Sequence, residues 1–440
     1  MKRWLRDASF RGLLKNSGYM AAARAVAGVL GLGALSFTAH SLDTALFGLL
    51  ILIHSYAQAA SGLVKFQSWQ IVIRYGAPAL QNRDVAQVQH GVGFAIGLDV
   101  ASGIFGMVVA MAALPLLAGW LHIDDANLFY AILYCTLLPT MAAATPSGVL
   151  RLLDRFDLLA VQGTITPGIR LILAGFAWFA ALDFKAFLFI WFITDLIGDV
   201  AQWALALREL HRRELLRGMK LGIRRHARRL AGAWHFALTT NLTTSLQAGW
   251  GPLANLIVGG LLGTTAAGQY RIAAGIVEAA NKPADMLAKA FYPEVVRLDL
   301  ATRKPWKLLL RGTALSAAMG LLFVVIVLLG GKSFIAIVFG TDYAPASALL
   351  ALMVFGLLIT MVSFPLAPMC YAVDRPVVPL RARIVATILY LIAIVPLTRL
   401  FGMNGAGLAY ILCMLLIALQ MIPPLYREYR RRTQVTAIRG

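Results

Sequence analysis

The sequence is poor in acidic residues and poor in charge altogether. Only 20 of its 440 residues are Asp or Glu, against 40 Lys and Arg, and charged residues make up 14% of the chain while 60% are hydrophobic. A water-soluble domain with this composition has too little polar surface to cover its apolar side chains. The composition therefore predicts an all-α polytopic membrane protein.

The sequence also lacks the motifs that are typical of membrane enzymes. The three cysteines, Cys135, Cys370 and Cys413, lie in apolar runs without metal-ligand spacing, so we expect neither a disulfide nor a metal site. There is no GxxxxGK loop for a nucleotide and no large external domain. We expect a transporter without a cofactor or catalytic residues. A membrane-embedded enzyme, or a structural scaffold, is the alternative from another class.

Apolar runs predict about twelve transmembrane helices, because a span needs roughly 20 apolar residues. The predicted spans are 17–39, 45–64, 91–118, 127–149, 158–180, 186–207, 234–259, 266–288, 309–329, 345–369, 382–398 and 405–425.

The basic residues lie mainly on one side of these spans. If the N-terminus is cytoplasmic, the cytoplasmic segments hold 32 of the 40 Lys and Arg, which is the positive-inside pattern. The charge of +20 is then a topology signal and a contact with anionic lipid rather than a nucleic-acid footprint. We expect a multi-pass protein with both termini in the cytoplasm and no nucleic-acid partner.

The chain divides into two similar halves. At an offset of 220 residues, Asp154-Arg155 falls on Asp374-Arg375, and each half contains six predicted spans. Repeats with an even number of spans share one orientation. The predicted organisation is a basic amphipathic segment, a six-helix lobe, a basic cytoplasmic linker, a second six-helix lobe and a basic tail, over residues 1–16, 17–207, 208–233, 234–425 and 426–440.

The eighth span carries a charged stripe. Arg271, Glu278, Lys282 and Asp285 fall within about 60° of one another on a helix of 3.6 residues per turn, so they share one face. Charged side chains at bilayer depth are costly and are functional candidates by default. The alternative is that Glu278 and Lys282, four residues apart, only neutralise each other.

The second span carries a corresponding polar stripe of His54, Gln58, Ser61 and Lys65. The first span adds Arg24, for which the alternative is a side chain that snorkels to the headgroups. The seventh span is rich in polar residues, among them Asn241. These positions predict a water-filled cleft between the halves, lined by spans one, two, seven and eight.

Other ionisable residues inside the spans are interpreted as structural. We expect them to form buried pairs that fix helix packing: Asp99, Arg170, Asp195 and Asp199. The glycines at four-residue spacing, Gly93 and Gly97, are typical of close helix contacts.

Several segments resemble a known family. They are LLKNSGYMAAARAVAGVLGL, LDTALFGLLILI, KFQSWQIVIRYGA, PSGVLRLLDRFDLLA and GQYRIAAGIVEAANKPADMLAKAFYPEVVRL. In these motifs and in span count the whole chain is similar to the Wzx-type polysaccharide-transport flippases of the multidrug/oligosaccharidyl-lipid/polysaccharide exporter superfamily. The resemblance implies two six-helix lobes in a V around a central cavity, as in multidrug exporters of the MATE type.

The resemblance also implies a function and a location. Such proteins turn an undecaprenyl-diphosphate-linked oligosaccharide from the cytoplasmic to the periplasmic leaflet of the bacterial inner membrane, beside glycan polymerase and glycosyltransferase partners. A cationic cavity would hold the diphosphate, and by position the expected residues are Arg24, Arg74, Arg271 and Lys282, with Asn241. Glu278 and Asp285 would carry a coupling proton or sodium ion, or orient the lysine; the stripe of alternating sign departs from a purely cationic cavity.

A multidrug cation antiporter of the same superfamily is the nearest rival. It would be expected to carry an acidic residue in the first span, where this chain has Arg24. That difference favours an anionic substrate. A membrane-embedded glycan polymerase or ligase that acts on the same lipid is the rival from another class.

Overall fold

The computed structural model describes residues 8–219, 222–238, 250–296, 298–300 and 302–438. Within these ranges every regular element is a helix and no strand occurs, as the composition predicts. The helices are α1 Ala8–Ser41, α2 Thr44–Val64, α3 Ser68–Gln81, α4 Val85–Ala118, α5 Asp125–Tyr134, α6 Leu138–Met141, α7 Thr145–Leu152, α8 Phe156–Phe179, α9 Phe184–Arg212, α10 Ile223–Ala227, α11 Trp250–Leu262, α12 Thr264–Val296, α13 Lys304–Phe339, α14 Ala346–Ser363, α15 Leu366–Ala372, α16 Val377–Phe401 and α17 Met403–Ile438. Two 3₁₀ helices, Cys135–Leu137 and Thr341–Tyr343, complete the described elements.

Nine helical segments in the described part of the chain are long and apolar enough to cross a bilayer. Each overlaps one of the predicted spans. The predicted spans 186–207 and 266–288 lie in α9 and α12, which are long enough but carry more ionisable side chains. The predicted span 234–259 lies partly outside the described residues and ends in α11. The protein is therefore a multi-pass membrane protein, and the count of twelve spans stays a prediction.

Aspartates begin several of the helices. Asp43, Asp84 and Asp183 precede α2, α4 and α9, and each carboxylate accepts a hydrogen bond from the backbone amide three residues on, at 2.8, 2.9 and 3.1 Å. Such a cap satisfies one of the amides that the first helical turn leaves without a partner. These few acidic residues thus fix where the helices start.

The predicted fourth span is interrupted in the structure. Instead of one helix over 127–149, the chain forms α5, a 3₁₀ turn, α6 and α7, with Pro139 and Pro146 in the first turns of the last two. Proline has no amide hydrogen to donate and clashes with the preceding turn, so the first turn of a new helix accommodates it without the loss of a hydrogen bond. In the second half, Pro365 separates α14 from α15 in the same way.

The chain forms two compact units, Met1–Leu256 and Ile257–Gly440, which are described separately. The core of the first unit includes Ile71, Phe94 and Leu150 from α3, α4 and α7. A core of the second unit gathers, from α12 to α17, the buried residues Phe291, Val295, Trp306, Met369, Cys370, Val373, Met421 and Leu425. The predicted lobe boundaries stay a prediction.

The basic segment 208–233 packs onto the first unit. Its apolar residues Leu215 and Leu230 are buried in that core, and α10 lies against α4. Gly97 and Gly93 of α4 face the side chains of Ile223 and His226, which a Cβ at either glycine would overlap. The prediction of a close contact at this glycine pair is confirmed.

The repeated dipeptide has the same structural role in both units. Asp154 and Asp374 adopt left-handed backbone conformations, with φ of 57° and 61°. The arginine that follows each one bonds a buried glutamate in the C-terminal part of a long helix: Arg155 pairs with Glu209 of α9, and Arg375 with Glu428 of α17. This shared contact is structural support for an internal duplication.

Candidate functional site

A buried polar network lies in the first unit, where α2, α5 and α9 meet. The hydroxyl of Tyr134 donates to Oδ2 of Asp195 at 3.0 Å, and Nδ1 of His54 lies 3.0 Å from the same hydroxyl. Because a phenol has one proton to donate, His54 acts as the donor to Tyr134 and carries its proton on Nδ1. Nδ1 is also 3.4 Å from Oδ2 of Asp195.

Arg170 of α8 provides the positive charge of this network. Its guanidinium forms an ion pair with Oδ1 of Asp195 and donates through Nε to the hydroxyl of Thr194 at 3.0 Å. It also lies 4.4 Å from the ring centroid of Trp191, a cation–π contact. The side chains of Arg170 and Asp195 are both 13% exposed. The pair is therefore largely removed from solvent, and its attraction is weakly screened.

Asp195 is the centre of this network. It pairs with Arg170 of α8, and Nδ1 of His54 in α2 lies within reach of the same carboxylate. The side chain of Asp195 therefore joins α9 to both α2 and α8.

The structure separates the residues of the predicted second-span stripe. His54 and Ser61 are buried, at 7% and 4% exposure, whereas Gln58 is exposed. Lys65 follows the end of α2 and donates to the backbone oxygen of Met141 at 3.0 Å. Of the four, His54 is the one that joins the buried network.

The interpretation of the other buried ionisable residues holds in part. Arg170 and Asp195 do form a pair, but Tyr134, which joins them to His54, was not singled out from the sequence. Fully buried Asp99 has another role: it accepts hydrogen bonds from the amides of Ala144 and Thr145 at 2.8 and 2.7 Å. It thereby caps α7 after the break in the fourth span.

A group of cationic side chains occurs in the first unit. Arg24 is exposed on α1 and lies close enough to Arg151 for the two charges to repel each other. Arg151 stacks on Trp69, with its guanidinium carbon 4.5 Å from the ring centroid. Arg74 is exposed on α3 and stacks in the same way on Phe236 at 4.3 Å. Arg151 was not singled out from the sequence, where it looks like an ordinary residue of a basic loop.

The second unit holds the remaining predicted residues. On α12, Lys282 and Glu278 form an ion pair at 3.3 Å, as their spacing allows, and Arg271 is half-buried. The structure describes the backbone of Asp285 but not its side chain, and Asn241 lies outside the described residues. No cluster of three His, Cys, Asp or Glu side chains suited to a metal occurs among the residues searched, which are the described ones.

The fold is that of a known class of membrane transporter. Over 94% of this chain and 95% of the other, it matches an inward-facing multidrug resistance MATE family transporter of the MOP superfamily, with a TM-score of 0.62 and 14% identity. An outward-facing structure matches with a TM-score of 0.60, 14% identity and 98% coverage of each chain. A mutant of the Vibrio cholerae MATE transporter VcmN matches with a TM-score of 0.59, 14% identity and 97% of each chain. At these identities the likeness concerns the fold.

The sequence comparisons identify the family. A family profile described as polysaccharide biosynthesis protein matches residues 13–298. The inner membrane protein YghQ of Escherichia coli strain K12 is 40% identical over 346 residues, which are 79% of this chain and 98% of that protein. The chain belongs to the polysaccharide biosynthesis protein family. The resemblance inferred from its motifs is confirmed at the level of the family.

Proposed function

We propose that this protein turns an undecaprenyl-diphosphate-linked oligosaccharide from the cytoplasmic to the periplasmic leaflet of the inner membrane by alternating access. The observation that carries the proposal is the combination of a polysaccharide biosynthesis sequence with the fold of a membrane transporter. The inner-membrane relative supports the location.

The chemistry of such a substrate explains why a protein is needed. Sugars and a diphosphate do not cross hydrocarbon unaided, because their polar groups would lose all hydrogen bonds to water. The prenyl chain can stay in the lipid. In this proposal, the two six-helix halves enclose a cavity lined by spans one, two, seven and eight, and its arginines bind the diphosphate by charge-assisted hydrogen bonds.

The first unit offers the cations for this task. The charges of Arg24 and Arg151 lie within electrostatic range of each other, so an anion bound near them would be attracted by both. Both arginines come from segments that carry the family resemblance. We assign them, with Arg74, to recognition of the diphosphate, and we assign Arg271 and Lys282 to the same anion from the second unit.

We place a coupling proton on His54. Its hydrogen bond to Tyr134 and its distance of 3.4 Å to Asp195 support this assignment, because a nearby carboxylate would stabilise a proton on the imidazole. Glu278 is the alternative carrier, but its side chain is 64% exposed and already pairs with Lys282.

The position in the pathway follows from the substrate. Glycosyltransferases that act on the cytoplasmic leaflet must supply the lipid-linked oligosaccharide, and a polymerase or ligase on the other leaflet must consume it. We propose both termini in the cytoplasm, because that orientation places most of the basic residues inside.

The rival function is export of cationic drugs, which the fold also accommodates. The charge of the first unit argues against it. The first span carries a cation, Arg24, and Arg151 lies nearby, so a cationic drug would be repelled.

The test uses cells that lack the gene and carry plasmid copies. We expect the deletion to lose surface polysaccharide and to accumulate lipid-linked oligosaccharide on the cytoplasmic side. Arg24→Ala and Arg151→Ala should each restore transport poorly despite normal amounts in the membrane. Arg208→Ala, which removes an exposed arginine of α9, is the matched control and should restore transport fully. Normal polysaccharide in the deletion strain would refute the proposal and favour drug export.

A further inference from the structure

An apolar groove runs along the outside of the second unit, between α13, α14 and α17. Its volume is about 710 Å³, within the range of sites that bind a small ligand. The walls are almost entirely hydrocarbon, with Leu310, Leu358 and Leu419 among them. Leu310 and Leu419 are 65% and 52% exposed, so the groove is open at its side.

The groove has the depth of one leaflet. On α17 its lining extends from Leu415 to Tyr429, which is roughly 21 Å at 1.5 Å per residue. The hydrocarbon core of a bilayer is about 30 Å thick, so one leaflet supplies about 15 Å of acyl chain below the headgroups. The groove is therefore long enough to hold the acyl chain of one leaflet and part of a headgroup.

One end of the groove is aromatic. Trp306 and Tyr429 close it, with ring centroids 5.1 Å apart in an edge-to-face arrangement. Tyr426 lines the same end and is 52% exposed. Trp and Tyr are enriched at the level of lipid headgroups, where one side of the ring is wet. This end thus lies where the headgroup of a bound lipid would lie.

The same end is strongly basic. Residues 427–432 of α17 contain four arginines and one acidic residue, Glu428. Glu428 is already shared by Arg375, Arg431 and Arg432. The guanidinium of Arg430 lies over the Tyr426 ring at 4.9 Å, directly beside the groove. Lys307 is exposed and follows Trp306 in the chain. The charge here is therefore unbalanced and positive.

We propose that the groove binds one anionic phospholipid, with an acyl chain along α17 and its phosphate at Arg430 and Lys307. An apolar slot one leaflet deep fits an acyl chain, and the basic end fits a phosphate with net negative charge. The undecaprenyl chain of the transported lipid is longer than a leaflet is thick and does not match this depth. The inference does not depend on which substrate is transported.

The test is a lipid titration of the purified full-length protein, followed by native mass spectrometry. The probes are phosphatidylglycerol and phosphatidylcholine with the same acyl chains. Wild-type protein should retain phosphatidylglycerol preferentially. Arg430→Gln and Lys307→Gln should each weaken its binding about fivefold without changing the binding of phosphatidylcholine. The matched charge control is Arg399→Gln, at the end of α16, which should have no effect.

A second variant tests the groove itself. Leu419→Trp fills it from an exposed wall position and should reduce the binding of both lipids. Leu329→Trp adds the same ring at a position of α13 that is 84% exposed and does not line the groove, so it should leave binding unchanged. Equal retention of the two lipids by wild type, or equal binding by the two tryptophan variants, would overturn the proposal. So would displacement of phosphatidylglycerol by an equimolar amount of undecaprenyl phosphate.

Discussion

Nη2 of Arg375 donates to Oε1 of Glu428 at 2.7 Å, and Arg155 makes the same contact with Glu209 in the other half of the chain. Both glutamates are nearly buried, at 3% and 4% exposure. Arg155 lies between two spans, where hydrogen bonds to the Asp157 carboxylate, and then to Glu209, raise its pKa above its usual range. It therefore stays charged at any physiological pH. One contact thus holds the turn before a helix to the C-terminal part of a long helix in each half.

The two ion pairs should differ in how much stability is lost when the arginine is removed. Arg155→Ala leaves Glu209 with Arg212 at 3.5 Å, whose side chain is 60% exposed. We expect a loss of about 2 kcal/mol of stability, because a nearly buried carboxylate loses its main partner. Arg375→Ala should cost less, since Arg431 and Arg432 remain beside Glu428. The stability of each variant is measured as the heat-induced loss of monodisperse protein in detergent, with Arg208→Ala as the control. A larger loss for Arg375→Ala than for Arg155→Ala would contradict the argument.

The ion pair of Arg170 and Asp195 should show strong coupling. Arg170→Ala leaves a carboxylate at 13% exposure without its cation, which we expect to cost about 3 kcal/mol. Adding Asp195→Asn should restore part of that loss, because the remaining amide carries no charge. A double-mutant cycle on thermal unfolding measures the coupling. Additive effects of the two substitutions would show that the pair makes no net contribution.

His54 should govern the response of transport to pH. His54 contacts Tyr134 from α5 and Asp195 from α9, and Asp195 in turn pairs with Arg170 from α8. Asp199, also from α9, acts electrostatically on Tyr134. His54→Asn keeps a donor toward Tyr134 but binds no proton, so the variant should fold while transport in proteoliposomes loses its dependence on a pH gradient.

Tyr134→Phe is the matched variant for His54→Asn. It removes the hydroxyl bridge but leaves the imidazole able to titrate. Transport by this variant should still respond to pH, with a shifted midpoint. An unchanged gradient response in His54→Asn would assign the proton to another group.

The contact of α10 with α4 should depend on Gly97. Gly97→Val would drive a methyl group into Ile223 and displace the short helix from the first unit. Trypsin should then cleave after Arg225 or Arg228 several times faster than in wild type. Trypsin can reach these sites only when the segment detaches from α4, and the substitution makes detachment more frequent. Gly119→Val, at a glycine with nothing within 4 Å, is the control. Equal cleavage of the two variants would mean that Gly97 does not hold the segment.

Much of the helical pattern is predictable from the sequence, because apolar length alone identifies a span. The pairing of Glu278 with Lys282 was likewise foreseeable from their spacing. The interruption of the fourth span was not, since Asp99, which caps α7, lies about 45 residues earlier in the chain. A local pattern does not contain such a partner.

The contacts of the candidate site are likewise not predictable from local sequence, because they join residues far apart in the chain. His54 stands out as an ionisable residue in an apolar helix, but Tyr134 is 80 residues away and looks like any aromatic residue of a span. Arg151 becomes a candidate site residue only in the structure, where it interacts with Arg24 and stacks on Trp69. The glycine pair predicted a close contact, yet its partner proved to be the basic connecting segment rather than another span.

The docking of that connecting segment bears on how the protein is made. The last buried member of the hydrophobic cluster that contains Leu215 and Leu230 is Ala237, and among the described residues nothing from the second unit, Ile257–Gly440, contributes to that cluster. A nascent chain of a little more than half its final length therefore already contains every side chain of this cluster. This cluster can therefore form, and the basic segment can dock on it, while the ribosome is still translating the second unit.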